Sequence, residues 1–267
     1  MNHTDQMMRK VRINKPPSRI VSLVPSLTEL LFDLGLKNEI AGITKFCIHP
    51  EEIFRSKTRI GGTKKVNHDA IQKLNPDLII ANKEENLKSD IEALEKKYPV
   101  WVSDVNSFDS ALEMIHKIGQ ITQKESEAEK IIIGIQNNFS EIKKSPIELR
   151  TLYLIWKNPY MAAGSDTFIN SMLLHCGMKN VLTPNTRYPE LTVDDICSLN
   201  ADVILLSSEP YPFSAKHIEE FNEMFPDTAC FTVDGECFSW YGSHLLKSPA
   251  YFNDLINKVQ TSINIKN

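Results

Sequence analysis

The side chains best able to do chemistry are few and widely spaced. The chain carries 7 His and 5 Cys in 267 residues, with neither a CxxC pair nor an HxxxH spacing among them, so no preformed metal site is legible. Cys47, His49, Cys237 and His244 fall in expected loops and are the candidates for metal ligation; no resident metal or cofactor is expected. Covalent catalysis is no better supplied. GxGxxG and GxxxxGK[ST] phosphate loops are absent, and so is a GxSxG nucleophile elbow. His49 can be assembled with Asp104 or Cys47 into a catalytic set, but no spacing demands it. Non-covalent recognition is the chemistry the residues supply best. Phe46, Trp156, Tyr160, Tyr188, Tyr211, Trp240 and Tyr241 offer flat contact area at small entropic cost. Lys64, Lys83 and Arg187 are cations suited to carboxylates.

Such residues need a scaffold, and composition limits what kind. Hydrophobic residues make up 42% and charged residues 24%, with 10 Gly and 14 Pro, a globular balance. A net charge of -4 leaves no basic surplus to neutralise a nucleic-acid backbone. The longest apolar stretch, residues 20–36, is interrupted by Pro25, Glu29 and Asp33, so no membrane insertion is expected. Residues 1–18 show no apolar signal core and no lipid-anchoring Cys, which as written predicts a cytoplasmic protein. The five cysteines are expected to be free thiols.

An internal repeat organises the scaffold. Residues 66–84 (VNHDAIQKLNPDLIIANKE) align without a gap to residues 191–209 (LTVDDICSLNADVILLSSE), with seven identities in nineteen. Each copy reads as a short helix, an Asn turn and a buried parallel strand. Asp69 pairs with Asp194 in this alignment. GLKNEI at Gly35 and GMKNVL at Gly177 form a second echo, each placing Gly at a helix C-terminus. Strand-like runs at 19–23, 40–44, 77–81 and 100–105 alternate with helices near 26–35 and 86–98. In the second half, runs at 150–156, 202–208 and 230–234 alternate with helices near 166–176, 215–225 and 244–260. The fold class expected is therefore α/β, two Rossmann-like lobes with parallel sheets joined by a long helix. Residues 1–18 are an N-terminal extension, 19–118 the first lobe, 119–145 the linking helix and 146–267 the second lobe. The helix over 124–144, stopped by Ser145-Pro146, would span about 30 Å and act as a strut.

The sequence resembles the helical-backbone solute-binding proteins of ABC importers, a group that includes cobalamin, haem and iron-siderophore binders. RIVSLVPSLTELLFDLGL (19–36), the Gly pair of RIGGTKKVNHDAI (59–71), LNPDLIIA (74–81), NPYMAAGSDTFINSMLLHCG (158–177) and WYGSHLLKSPAY (240–251) carry the likeness. The resemblance implies two α/β lobes, a ligand cleft between them and little hinge motion. It also implies one acidic docking residue per lobe for the importer permease, at Asp69 and Asp194, and a periplasmic location. Ligands in the group meet loops that follow strand C-terminal ends, which selects Pro25, Ser26, Phe46, His49, the 61–64 loop with Thr63, Asn82 and Lys83 in the first lobe. Trp156, Tyr160, Arg187, Tyr188, Glu209, Tyr211, Trp240 and Tyr241 are selected in the second. Phe46, Tyr188 and Trp240 fall where the cobalamin-binding member presents rings, whereas Thr63 and Asn82 replace its tryptophans. A small-molecule ligand, cobalamin or another corrinoid, is the leading expectation, with haem or a ferric siderophore as the alternative. A monomer without covalent chemistry is expected. A leaderless cytosolic carrier or sensor and an α/β enzyme are the other readings left open.

Overall fold

The computed structural model describes residues 2–145 and 147–266, with side chains described as far as Ile263. Pro146, expected to stop a helix, lies outside the described residues. By contacts the chain divides into two units, one of Met1–Val105, Asp109–Ile135 and Tyr241–His244, the other of Asn106–Phe108, Gln136–Trp240 and Leu245–Asn267.

The first unit runs β1 (Asn2–Thr4), β2 (Lys10–Arg12), β3 (Ile20–Ser22), α1 (Pro25–Asp33), β4 (Ile40–Ile43), α2 (Glu51–Ser56), β5 (Thr58–Arg59), α3 (His68–Leu74), β6 (Leu78–Asn82), α4 (Lys88–Leu94) and β7 (Val100–Ser103). Its main sheet has the order β5-β4-β3-β6-β7, with every pairing parallel. All residues of β6 and β7 are buried, which explains why their sequences read as continuous apolar runs rather than alternating ones. Gly35 takes the left-handed conformation (φ 79°) that ends α1, as its position predicts.

Residues 2–12 are not a loose extension. β1 and β2 form an antiparallel hairpin whose turn is organised by Asp5, which is fully buried. Asp5 Oδ1 accepts from the Met7 and Arg9 amides, and Oδ2 accepts from Arg9 Nε at 2.8 Å and from the Val102 amide on β7 at 3.3 Å. The Gln6 amide donates to the Val102 carbonyl, and its side-chain oxygen accepts from the Asp104 amide. The hairpin thereby satisfies backbone groups along an edge strand that would otherwise be open to another chain.

In chain order β7 is followed by α5 (Phe108–Thr122) and α6 (Glu125–Ser140), which precede the first strand of the second sheet. The expected linking helix over 119–145 is corrected in two ways. Gln123 adopts a left-handed φ of 56° and separates the two helices. The second then ends at Ser140, whose hydroxyl donates back to the Asn137 carbonyl. Asn137, Asn138 and Ser140 are weak helix formers, and 16 residues give a helix of about 24 Å.

The second unit contains β8 (Leu149–Trp156), β9 (Tyr160–Ala162), α7 (Phe168–His175), β10 (Met178–Asn180), β11 (Glu190–Leu191), α8 (Val193–Ser198), β12 (Val203–Ser207), α9 (Ala215–Met224), β13 (Ala229–Val233) and α10 (Gly235–Ser239). A 3-10 turn at Ser243–Leu246 and α11 (Ser248–Lys266) follow. The sheet order is β11-β9-β8-β12-β13, with β10 also beside β8. The strands β10, β8, β12 and β13 are parallel, but β9 runs antiparallel to β8 and β11 antiparallel to β9. The expected parallel sheet is present in β10, β8, β12 and β13, and β9 and β11 extend it antiparallel, because a short turn at Asn158-Pro159 returns the chain directly beside β8. Its core is aromatic: Phe213, Phe221 and Phe225 pack with Leu152, Leu154, Ile204 and Leu206.

The repeated segment has the same build in both units. Asn67 caps α3 by accepting from the Ala70 amide, and Thr192, 125 positions later, caps α8 by accepting from the Asp195 amide. Each helix is followed by an Asn in the left-handed region, Asn75 and Asn200, both at φ 46°. Arg19 Nε donates to the Asn75 carbonyl at 2.9 Å, and Arg150 Nε to the Asn200 carbonyl at 3.0 Å. Asp77 accepts from the Ser18 and Arg19 amides, while Asp202 accepts from the Arg150 amide. The identities read from sequence are therefore a clamp that locks the end of a short helix to the start of its neighbouring strand.

Candidate functional site

In the first unit, the loops after β3, β4, β5 and β6 gather at the C-terminal ends of the strands, where α/β sheets present ligand-binding residues. Pro25 occupies the first turn of α1, where its missing N–H costs nothing. Ser26 is buried beside the Tyr241 phenol, which burial holds well above its ordinary pKa while the Ser26 and Ser103 hydroxyls act in the opposite direction. Phe46 is 50% exposed, with the Lys45 ammonium 4.9 Å from its ring centre. Its ring lies against Gly62, where a Cβ would stand 3.2 Å from the ring edge. The GG loop therefore forms a floor under Phe46 that a larger residue would lift. Gly61, at φ 98°, could not carry a side chain without strain. Lys64 donates to the Glu84 carbonyl, bringing the Thr63 loop to the loop after β6.

Asn82, expected to face a ligand, is turned inward. It is 1% exposed, its amide nitrogen donates to the Ser103 carbonyl and hydroxyl, and its oxygen accepts from the Glu84 and Glu85 amides. All its bonding capacity is spent on the turn. Lys83 pairs with Asp104 at 2.7 Å. Neighbouring Asn86, which the sequence did not single out, ties three loops together. Its side-chain oxygen accepts from the Asn82 amide at 2.9 Å, and its nitrogen donates to the Thr63 carbonyl at 3.0 Å and the Leu23 carbonyl at 3.3 Å. No spacing signal could have found it, because its partners are backbone groups of loops 23 and 63 residues away.

In the second unit, Trp156 at the end of β8 is 38% exposed and meets Tyr211 edge-on at 5.7 Å. The Tyr211 hydroxyl lies 3.3 Å from His217 Nε2. Tyr188 is half-buried and Arg187, at φ 61°, is exposed in the preceding turn. Three of the rings expected to meet a ligand pack against the protein itself. Tyr160 packs on Phe221 at 5.5 Å as a margin of the core. Trp240 is 6% exposed and donates its indole N–H to Glu209 Oε1 at 3.0 Å, an oxygen that also accepts from Ser239. Tyr241, likewise 6% exposed, belongs by its contacts to the first unit. Trp240 is part of a wall rather than a displayed face, because its indole N–H finds its partner, Glu209, inside.

The metal candidates are dispersed. Cys47 is buried, its sulfur 3.1 Å from the Thr28 and Thr44 hydroxyls, and burial pushes its thiol pKa up. His244 Nδ1 is 2.9 Å from Glu29 Oε2 within the first unit. Cys237 is buried, which pushes its thiol to about 12, and His49 is exposed. Among the described residues no three His, Cys, Asp or Glu side chains are grouped to hold a metal ion. The five cysteines are free thiols.

Asp69 and Asp194 occupy equivalent second positions of α3 and α8, and both are exposed. Asn67 and the Thr192–Asp195 capping box already cap these helices. The two carboxylates themselves make no hydrogen bond or ion pair among the described residues, and Asp69 borders a shallow depression shared with Gln72 and Lys73.

A model of the periplasmic binding protein family matches residues 20–228. The chain belongs to that family. It is 28% identical over 213 residues to an uncharacterized ABC transporter substrate-binding lipoprotein, YvrC, of Bacillus subtilis, covering 75% of this chain and 67% of that protein. It is 20% identical over 199 residues to the vitamin B12-binding protein of Vibrio campbellii, covering 73% and 72%. The solved structure of a possible iron-binding, periplasmic solute-binding protein from Staphylococcus epidermidis superposes with a TM-score of 0.77 at 23% identity, over 92% of this chain and 99% of that one. Family membership makes this a solute-binding protein rather than an enzyme. No helix among the described residues is long and apolar enough to cross a membrane.

Proposed function

We propose that the protein is the solute-binding component of an ABC importer and that it takes a flat, corrinoid-like ligand, cobalamin first, on the loops after its strand C-terminal ends. The observation that carries the importer role is the pair of bare carboxylates. Asp69 and Asp194 stand at matching positions of a duplicated helix, solvated and without internal work, as charges reserved for basic residues of a permease would be. The ligand class is supported by the exposed Phe46 ring on its glycine floor, by the exposed Trp156, and by the similarity to vitamin B12-binding proteins. Haem is the second reading, favoured by Lys45 beside the Phe46 ring, a cation placed to meet a propionate.

Absorption spectra and tryptophan fluorescence of the purified protein, titrated with cyanocobalamin, dicyanocobinamide, haemin and ferric catecholates, test the ligand class. Saturable binding of a corrinoid is expected. Saturation by haemin alone transfers the assignment to haem, and no response to any of the four defeats the ligand reading. For docking, Asp69→Lys with Asp194→Lys should leave ligand affinity unchanged and abolish stimulation of a permease ATPase encoded beside this protein. Intact stimulation by the double variant defeats the docking reading.

A further inference from the structure

The loops that carry the proposed ligand contacts of the first unit come from separate strands, and short loops of this kind move unless something joins them. One side chain does. Asn86 is 5% exposed, and its three hydrogen bonds end on the loop after β3 (Leu23 carbonyl), the loop after β5 (Thr63 carbonyl) and the end of β6 (Asn82 amide). Asn82 extends the network to β7 through Ser103. The connections lead directly to the proposed contacts: Leu23 precedes the Pro25–Ser26 start of α1, and Thr63 follows Gly62, the floor of the Phe46 ring.

We infer that Asn86 is the positioning residue of the first unit's ligand-binding loops, setting the spacing between the Ser26 end of α1 and the Phe46–Gly62 floor. The inference rests on the proposed ligand reading. Asparagine suits the task because one amide supplies both donor hydrogens for two carbonyls and an acceptor for an N–H. Aspartate has the same shape but turns an oxygen toward the two carbonyls, so it keeps the bond to Asn82 and repels both loops. Glutamine adds a methylene where the loops converge. Ligand recognition should therefore depend on this residue although it touches no ligand, as expected of a residue that holds contacts at their bonding distance.

The test compares wild type, Asn86→Asp, Asn86→Ala and a control, Asp77→Asn. The control removes a comparable anchor at the opposite, N-terminal end of the same sheet. Three readouts are taken: affinity for whichever of cyanocobalamin, dicyanocobinamide or haemin the wild type binds, the absorption spectrum of the bound probe, and amide hydrogen exchange. Both Asn86 variants should weaken binding by about tenfold or more, shift the bound-probe spectrum and speed exchange over residues 61–67. Asp77→Asn should lower the melting temperature while leaving affinity within about twofold. Unchanged affinity in the Asn86 variants overturns the inference, with or without faster exchange. Equal loss in the control also overturns it, since the residue would then act only through stability. A wild type that binds none of the probes defeats the ligand reading itself, and the inference falls with it.

Discussion

In the first unit Asp77 receives three donors, the Ser18 amide and hydroxyl and the Arg19 amide, and the Arg19 guanidinium reaches one helix-end carbonyl. In the second, Asp202 receives only the Arg150 amide among the described residues, and Arg150 reaches two helix-end carbonyls, those of Asn200 and Leu199. The same clamp is thus weighted toward its carboxylate in one copy and toward its guanidinium in the other. Around it the units differ more. One has an all-parallel main sheet, a largely aliphatic core that also holds Trp101, and an edge closed by the N-terminal hairpin. The other has a mixed sheet over an aromatic core. The two units share the device that fixes helix to strand and differ in their edges and cores, since packing tolerates substitution as long as volume is kept.

Substitutions can break this comparison. The largest effect belongs to the aromatic core: Phe221 is fully buried against Tyr160, Phe213 and Phe225, and Phe221→Ala should cost about 3–5 kcal/mol in denaturant unfolding. The clamps come next. Asp77→Ala should cost about 2 kcal/mol and Asp202→Ala about 1 kcal/mol, in proportion to the charged hydrogen bonds each loses. Arg150→Ala should reverse that order relative to Arg19→Ala. Equal costs at Asp77 and Asp202 would show that the two clamps are not weighted differently.

The Asp77 clamp also has a pH signature. Burial alone would raise its carboxyl, but the Ser18 and Arg19 amides, the Ser18 hydroxyl and the Arg19 charge together bring it below its ordinary value. A depressed native pKa contributes stability that is present above the unfolded value of about 3.9 and lost as pH falls through the native one. The stability gap between wild type and Asp77→Asn should accordingly be full at neutral pH and close in acid. A gap that persists at the acid end would rule out the charge as its source. The smallest effects are expected at the exposed pair: Asp69→Asn and Asp194→Asn should each change stability by no more than about 0.5 kcal/mol, which distinguishes carboxylates left for a partner from carboxylates used in folding.

Asp77 and Asp202 were legible as repeat identities, and so were Asn75, Asn200 and the buried strands beside them, because local turns and parallel strands leave regular spacings in sequence. Phe46 and the 61–62 glycine pair were also legible as loop residues. Asn86 was not, and neither was the hairpin over residues 2–12, since both act through backbone groups far along the chain. The inward turn of Asn82 and Trp240 has a related cause. A polar aromatic or an amide at a strand end has the same sequence signature whether it faces a ligand or turns inward to a carbonyl, hydroxyl or carboxylate.

Sequence alone was enough to determine two α/β halves, their shared Asp69 and Asp194 positions and the absence of catalytic loop motifs, because these depend on residue type and local period. Tertiary structure alone decided which strand-end residues remain exposed, which are consumed by Glu209 and Ser103, and that Asn86 joins three loops. Hydrogen-bond partners are chosen by proximity in space, and a buried polar atom takes whichever partner the folded chain brings within reach.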